Sequence, residues 1–95
     1  RTEKQRITTE IRIEDIKEFF RQHPSGEADF RELIKKKDDR YDTAVTFSSV
    51  LEMMKQRRLD AHQQFIYGDI TVTATDHLFD PESREREQDK EREHE

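Results

Sequence analysis

Residues 46–74, TFSSVLEMMKQRRLDAHQQFIYGDITVTA, hold a complete passage from helix to hairpin. Ala44, Phe47, Leu51 and Met54, with Val50 beside them, recur at the spacing that stacks side chains on one face of an α-helix. That face is expected to point into the core. Val45 then falls nearly opposite it and Met53 well to one side, two apolar residues off the stripe. After Arg57 and Arg58 the period changes to two. Leu59, Ala61 and Gln63 alternate with Asp60, His62 and Gln64, and Ile70, Val72 and Ala74 alternate with Thr71, Thr73 and Thr75. Two short strands joined through Phe65, Ile66, Tyr67 and Gly68 make a hairpin.

A helix that runs straight into a β-hairpin is the second half of a winged-helix domain. The expected fold is therefore a small α+β winged helix of three helices with a C-terminal hairpin wing and flexible ends. Working back from the hairpin, Asp38 to Asp42 form the turn into the third helix, with Asp42 or Thr43 as its cap. A second helix carries Phe30, Leu33 and Ile34 inward and ends in Lys35, Lys36 and Lys37. Asp29 suits its N-cap, with Glu32 at capping-box spacing, and Glu27 to Phe30 is a short strand that can pair with the hairpin. The lysine run is read first as a solvated helix end. Ile13, Ile16, Phe19 and Phe20 mark a first helix that Pro24, Ser25 and Gly26 terminate. Residues 8–13 fit either an extended lead-in or an earlier start of that helix.

Ninety-five residues allow one modest core. With 29% hydrophobic and 43% charged residues, the composition lies near the border of disorder, so a compact centre with unstructured ends is expected. The divisions are a polar linker at 1–10, the winged-helix domain at 11–79 and an acidic, disordered tail at 80–95. From Asp80 onward eight acids face four bases, which places most of the net charge of −5 in the tail. Without cysteine there is no disulfide framework or thiolate metal site, and no apolar run or signal-peptide pattern suggests a membrane. A cytosolic protein is expected. The first residue is Arg, which suggests a piece of something longer.

Catalytic signals are absent. His23, His62, His77 and His94 are scattered, the two glycines form no phosphate loop, and Asp76, His77 and Asp80 are too loosely spaced to favour a metal. No enzyme and no cofactor are expected. A DNA-binding winged helix of a transcription regulator is the alternative function. Against it, the third helix would offer Asp42, Thr46, Ser49 and Glu52 on its exposed side, with its bases only at its end.

Asp39-Arg40-Tyr41, Thr46-Phe47, Leu51-Glu52-Met53, Lys55-Gln56-Arg57, Gln63 and Gly68-Asp69-Ile70 follow one another in an order that resembles the C-terminal winged-helix domain of the segregation and condensation protein A family, prokaryotic kleisins. The sequence departs from that pattern at Ser48-Ser49-Val50 and at Tyr67. The resemblance implies docking on the ATPase head of an SMC (structural maintenance of chromosomes) protein, helping to close a ring used in chromosome condensation and segregation. It further implies segregation and condensation protein B as a partner of the full-length protein, DNA held indirectly through the complex, no membrane or small-molecule substrate, and a cytoplasmic, nucleoid-associated location. On this reading Phe65, Ile66 and Tyr67 anchor the head, with Met53 adjacent. The strand Asp69 to Thr75, carrying Thr71 and Thr73, would be a free sheet edge. The aromatic loop could instead fold back over the core.

Overall fold

The computed structural model describes residues 8–81. Of the linker expected over 1–10 and the disordered tail expected over 80–95, residues 1–7 and 82–95 lie outside the described residues, whereas residues 8–10 open the first helix and the Asp80 carbonyl accepts from Arg58.

Helix α1 spans Thr9–Arg21. The Thr8 hydroxyl accepts the Ile11 N–H at 3.2 Å and caps it, so the earlier helix start is the one adopted. Ile13, Ile16 and Phe20 bury the inner face. Burying each of these side chains stabilises the fold by about 1.5–3 kcal/mol. The chain reverses at Gly26, whose φ of +71° suits a residue without a Cβ. Strand β1, Glu27–Asp29, follows.

Phe30–Leu33 is a single 3-10 turn, capped by Asp29 and Glu32 as the sequence suggests, rather than a full second helix. It stops for a physical reason. The amides of Lys35 and Lys36, which would donate to carbonyls of the preceding turn, both donate to the Asp42 carboxylate at 2.9 Å. Ile34 is accordingly extended.

Helix α2, Arg40–Lys55, is the helix expected third. Asp39, not Asp42 or Thr43, caps it, accepting the amides of Tyr41 and Asp42 at 2.9 and 3.3 Å. At its far end the Arg57 N–H donates to the Met54 carbonyl and the Arg58 N–H to that of Met53, with Arg57 at φ 63°. This is the Schellman arrangement, with arginine where glycine is usual. Strands β2, Leu59–Gln63, and β3, Ile70–Ala74, form the hairpin.

The sheet order is β1-β3-β2, antiparallel throughout. Strand β3 is therefore central, not a free edge. Thr71 faces Asp29 on one side and His62 on the other, and Thr73 faces Glu27 and Asp60. Val72 and Leu59 point into the core and Asp60, His62 and Thr73 point outward, the alternation of a sheet with one wet face. Leu78 closes the core from the C-terminal segment. Arg58 holds that segment, donating to the carbonyls of His77, Leu78 and Asp80 at 3.1, 2.9 and 2.7 Å.

The largest departure from expectation is the roll of α2. Its buried residues are Asp42, Val45, Thr46, Ser49, Val50 and Met53, while Phe47 and Leu51 remain 49% and 46% exposed. The polar stripe has turned inward because Arg12 of α1 is buried against it. Its guanidinium donates to Asp42 Oδ1 at 2.7 Å, to Asp42 Oδ2 at 3.3 Å and to Thr46 Oγ1 at 2.8 Å. Ser49 completes the seam by donating to the carbonyls of Val45 and Thr9 at 2.7 and 3.4 Å.

Burial alone would raise the Asp42 pKa. The Arg12 hydrogen bonds and the two lysine amides outweigh it, so the carboxyl lies below its ordinary value. A carboxyl with a depressed folded pKa stabilises fully above its unfolded value of about 4 and loses that contribution as pH falls through its folded value. Asp42→Ala strands a buried guanidinium and should cost about 3–5 kcal/mol in urea unfolding. The wild-type advantage over this variant should shrink only below about pH 4. Equal stabilities at pH 7 would contradict the assignment.

Candidate partner-docking surface

With the polar stripe inside, the outer side of α2 presents Tyr41, Ala44, Phe47 and Leu51 to solvent. An isolated exposed Leu needs no explanation, but a run of apolar residues along one helix face marks a contact surface. Phe47 meets Phe30 edge to face, with ring centroids 6.1 Å apart. The two rings floor an apolar groove of about 480 Å³, bounded by Lys37, Asp38, Arg40, Thr43 and Ala44. Its walls carry both charge signs and its floor is aromatic.

Phe30 also reaches the base of the hairpin, where a smaller depression is lined by Asp29, Arg31, Gly68, Asp69 and Ile70. Arg31 donates to Asp69 at 2.9 Å across its rim. Both partners are well exposed, so this ion pair orients the rim and adds little stability. Phe30 thereby links the face of α2 to the root of the wing.

The loop beyond is held by Gln63, whose amide donates to the carbonyls of Ile66 and Gly68 at 3.0 and 2.9 Å. The Gly68 N–H returns to the Phe65 carbonyl at 2.9 Å. A Cβ on Gly68 would lie 3.3 Å from that carbonyl oxygen and from the Phe65 Cβ, a tight approach that glycine avoids. Phe65, Ile66 and Tyr67 project outward at 70%, 80% and 98% exposure instead of folding over the core.

Of the residues expected to meet a partner, Phe65, Ile66, Tyr67 and Thr73 are on the surface and Thr71 is half-buried. Met53 is not available: it is 0% exposed among Ile16, Leu59 and Val72. It belongs to the stripe that Arg12 and Asp42 turn inward. Nor do Thr71 and Thr73 offer free backbone, since β3 is paired on both sides. Sequence reasoning placed Phe47, Leu51 and Ala44 in the core, and so missed the apolar face of this helix. The signal was present in Asp42, Thr46 and Ser49, a polar stripe at the same helical spacing with Arg12 available to pair with it.

The DNA-reading alternative also changes form. Asp42, Thr46 and Ser49 are buried and cannot face a groove, and between Arg40 and Lys55 the exposed residues of α2 are Tyr41, Ala44, Phe47, Ser48 and Leu51, with no basic side chain among them. Among the described residues no group of three or more His, Asp or Glu side chains is placed to hold a metal, and no helix is long and apolar enough to cross a membrane.

Two helices packed on a three-stranded sheet with a projecting hairpin define a winged-helix domain. The crystal structure of the C-winged helix domain of ScpA bound to the SmcHead has the same fold. It aligns at a TM-score of 0.57 and 19% identity, covering 70% of this chain and 93% of that one. Residues 25–78 match the conserved region of Rad21/Rec8-like proteins, and the chain belongs to that family. A curated relative, segregation and condensation protein A of Halothermothrix orenii, is 29% identical over 70 residues. That alignment covers 74% of this chain and 29% of the relative, so the chain spans less than a third of that protein's length.

The roll of α2 predicts an unequal response to truncation. Met53→Ala should cost about 2–5 kcal/mol through the cavity it leaves. Phe47→Ala and Leu51→Ala should each cost less than about 1 kcal/mol, as at partly exposed positions away from the core. Chemical denaturation of the three variants checks this, and the opposite ranking would refute the orientation.

Proposed function

We propose that the domain is the C-terminal docking module of a kleisin, and that it binds the ATPase head of an SMC protein. The observation that carries this is the apolar outer face of α2 with its Phe30–Phe47 groove, a surface unsuited to phosphates and suited to a protein. Membership of the Rad21/Rec8-like family supports the reading. So does the shared fold of a ScpA domain whose crystal structure is of a complex with an SMC head.

The docking face is taken to be Phe47 and Leu51 on α2, extended through Phe30 toward the wing, with Phe65, Ile66 and Tyr67 as outlying anchors. Phe47 has the position of a hot spot: aromatic, rigid and flanked by groups able to exclude water once covered. The mixed charges at the rim, Lys37, Asp38 and Arg40, would set orientation and association rate more than affinity. Thr71 and Thr73 contribute only side chains on the wet face of the sheet.

In the full-length protein this domain would close one end of a ring whose other end and middle engage the second head and segregation and condensation protein B. DNA would be held by the assembly rather than read by α2. The module itself would be non-catalytic, needing no cofactor, and would act in the cytoplasm at the nucleoid.

Replacing Phe47 or Leu51 by Glu should weaken binding to a purified SMC head by about thirtyfold or more in calorimetry, the scale of a lost hot spot, while circular dichroism remains that of wild type. Ile66→Glu with Tyr67→Glu should weaken it less. Undiminished binding by the Phe47 and Leu51 variants would overturn the proposed surface. A salt-sensitive gel shift with duplex DNA and no head binding would favour the transcription-regulator alternative.

A further inference from the structure

Lys35, Lys36 and Lys37 do not close a helix. The 3-10 turn stops at Leu33, and the run stands ahead of α2, with Lys37 two residues before its cap Asp39 and Arg40 at its first position. A cation at the start of a helix opposes its dipole, so the stability of α2 does not account for these side chains. Their backbone is nevertheless fixed. The Lys35 and Lys36 amides donate to Asp42, and the Asp39 N–H donates to the Lys36 carbonyl at 3.0 Å. All four cations are exposed.

The surrounding domain is acidic, with fifteen acids against eleven bases over residues 8–81. Between 35 and 40 the balance reverses, with four bases against Asp38 and Asp39. Asp39 turns its carboxylate to the amides of Tyr41 and Asp42. Lys35 has Asp15 at 3.9 Å, and the Lys37 ammonium donates to the Ile34 carbonyl at 3.4 Å. Among the described residues no carboxylate is ion-paired with Lys36, Lys37 or Arg40. Lys37 and Arg40 wall the groove whose floor is Phe30 and Phe47.

We propose that this groove receives an apolar side chain of the SMC head that has carboxylates beside it, and that Lys37 and Arg40 meet those carboxylates; the inference rests on the docking reading above. An apolar anchor covers the two rings, and acids flanking it reach cations that the domain itself leaves unmatched. Before contact, a positive spot on an otherwise acidic surface attracts an acidic patch and repels a basic one, which turns the groove toward its target. A head carrying lysine or arginine at that place is rejected by the same charges. Nucleic acid fits the site less well, since phosphates gain nothing from an aromatic floor and Asp38 shares the wall with the two cations.

Association of the 95-residue chain with a purified SMC head, followed by stopped flow over a range of salt, tests this. The wild type should associate more slowly as salt screens the attraction. Lys37→Glu combined with Arg40→Glu should slow association about tenfold or more at low salt and flatten its salt dependence. The variant should keep a wild-type circular dichroism spectrum, because an acid in the first turn favours α2. Asp38→Lys should act in the opposite sense and speed association. Phe47→Ala should hasten dissociation and leave the salt dependence as it is. A head that the double variant meets as fast as the wild type, or faster, overturns this inference and leaves the docking reading standing. A wild type that does not bind the head overturns both. Duplex DNA bound by the wild type and released by the double variant would assign the cations to phosphate and overturn the carboxylate reading.

Discussion

The Arg12 guanidinium and the Asp42 carboxylate, both buried and 2.7 Å apart, fix how α1, α2 and the intervening connection sit against one another. Asp42 accepts from Arg12 and from the amides of Lys35 and Lys36, so one side chain ties two helices and a loop. Arg12 also donates to Thr46 and lies 3.5 Å from Asp15. A buried pair of this kind contributes little beyond what apolar residues of the same volume would, but breaking it leaves a charge without solvent, which is costly. Its larger effect is geometric. It selects which of two helical stripes of α2 faces the core.

That choice decides the character of the surface. With Asp42, Thr46 and Ser49 inside, Val45, Val50 and Met53 follow them because they lie on the same side of the helix. Phe47 and Leu51 are carried to the outside, where Phe30 meets Phe47. A domain of this size has few apolar side chains to spare from its interior. Placing several on a helix face exposes area that a partner can cover. The same rotation removes the polar side chains through which a helix in this position would read base edges.

Much of the architecture was legible in the sequence, because the change of period from helix to strand near Arg58 is abrupt. Turn residues at Gly26 and Gly68 and the Asp29–Glu32 cap also mark their places. The face of α2 was not legible from its apolar residues alone: Ala44, Phe47 and Leu51 form one helical stripe, Val45, Val50 and Met53 another, and hydrophobicity does not distinguish them. What distinguishes them is a contact with Arg12, remote in sequence, through groups that a one-helix reading assigns to solvent. The edge of the sheet was misplaced for a related reason. Strand β1 is only three residues long, yet it covers β3 and leaves β2 outermost. The shortened second helix has the same origin, since the amides that would extend it are taken by Asp42. Arg58, which in the sequence marks only the change from helix to strand period, is buried and holds the C-terminal segment.

The chain contains no cysteine, so single cysteines can report each face of α2 without interference. The decisive measurement is the rate of thiol alkylation in Phe47→Cys and Met53→Cys, alone and with an SMC head present. The account predicts that the thiol at 47 reacts almost as fast as a free thiol and becomes protected when the head is added, while the thiol at 53 is slow throughout. A fast thiol at 53 and a slow one at 47 in the free chain would mean that the helix is rolled the other way. The surface described here would then not exist.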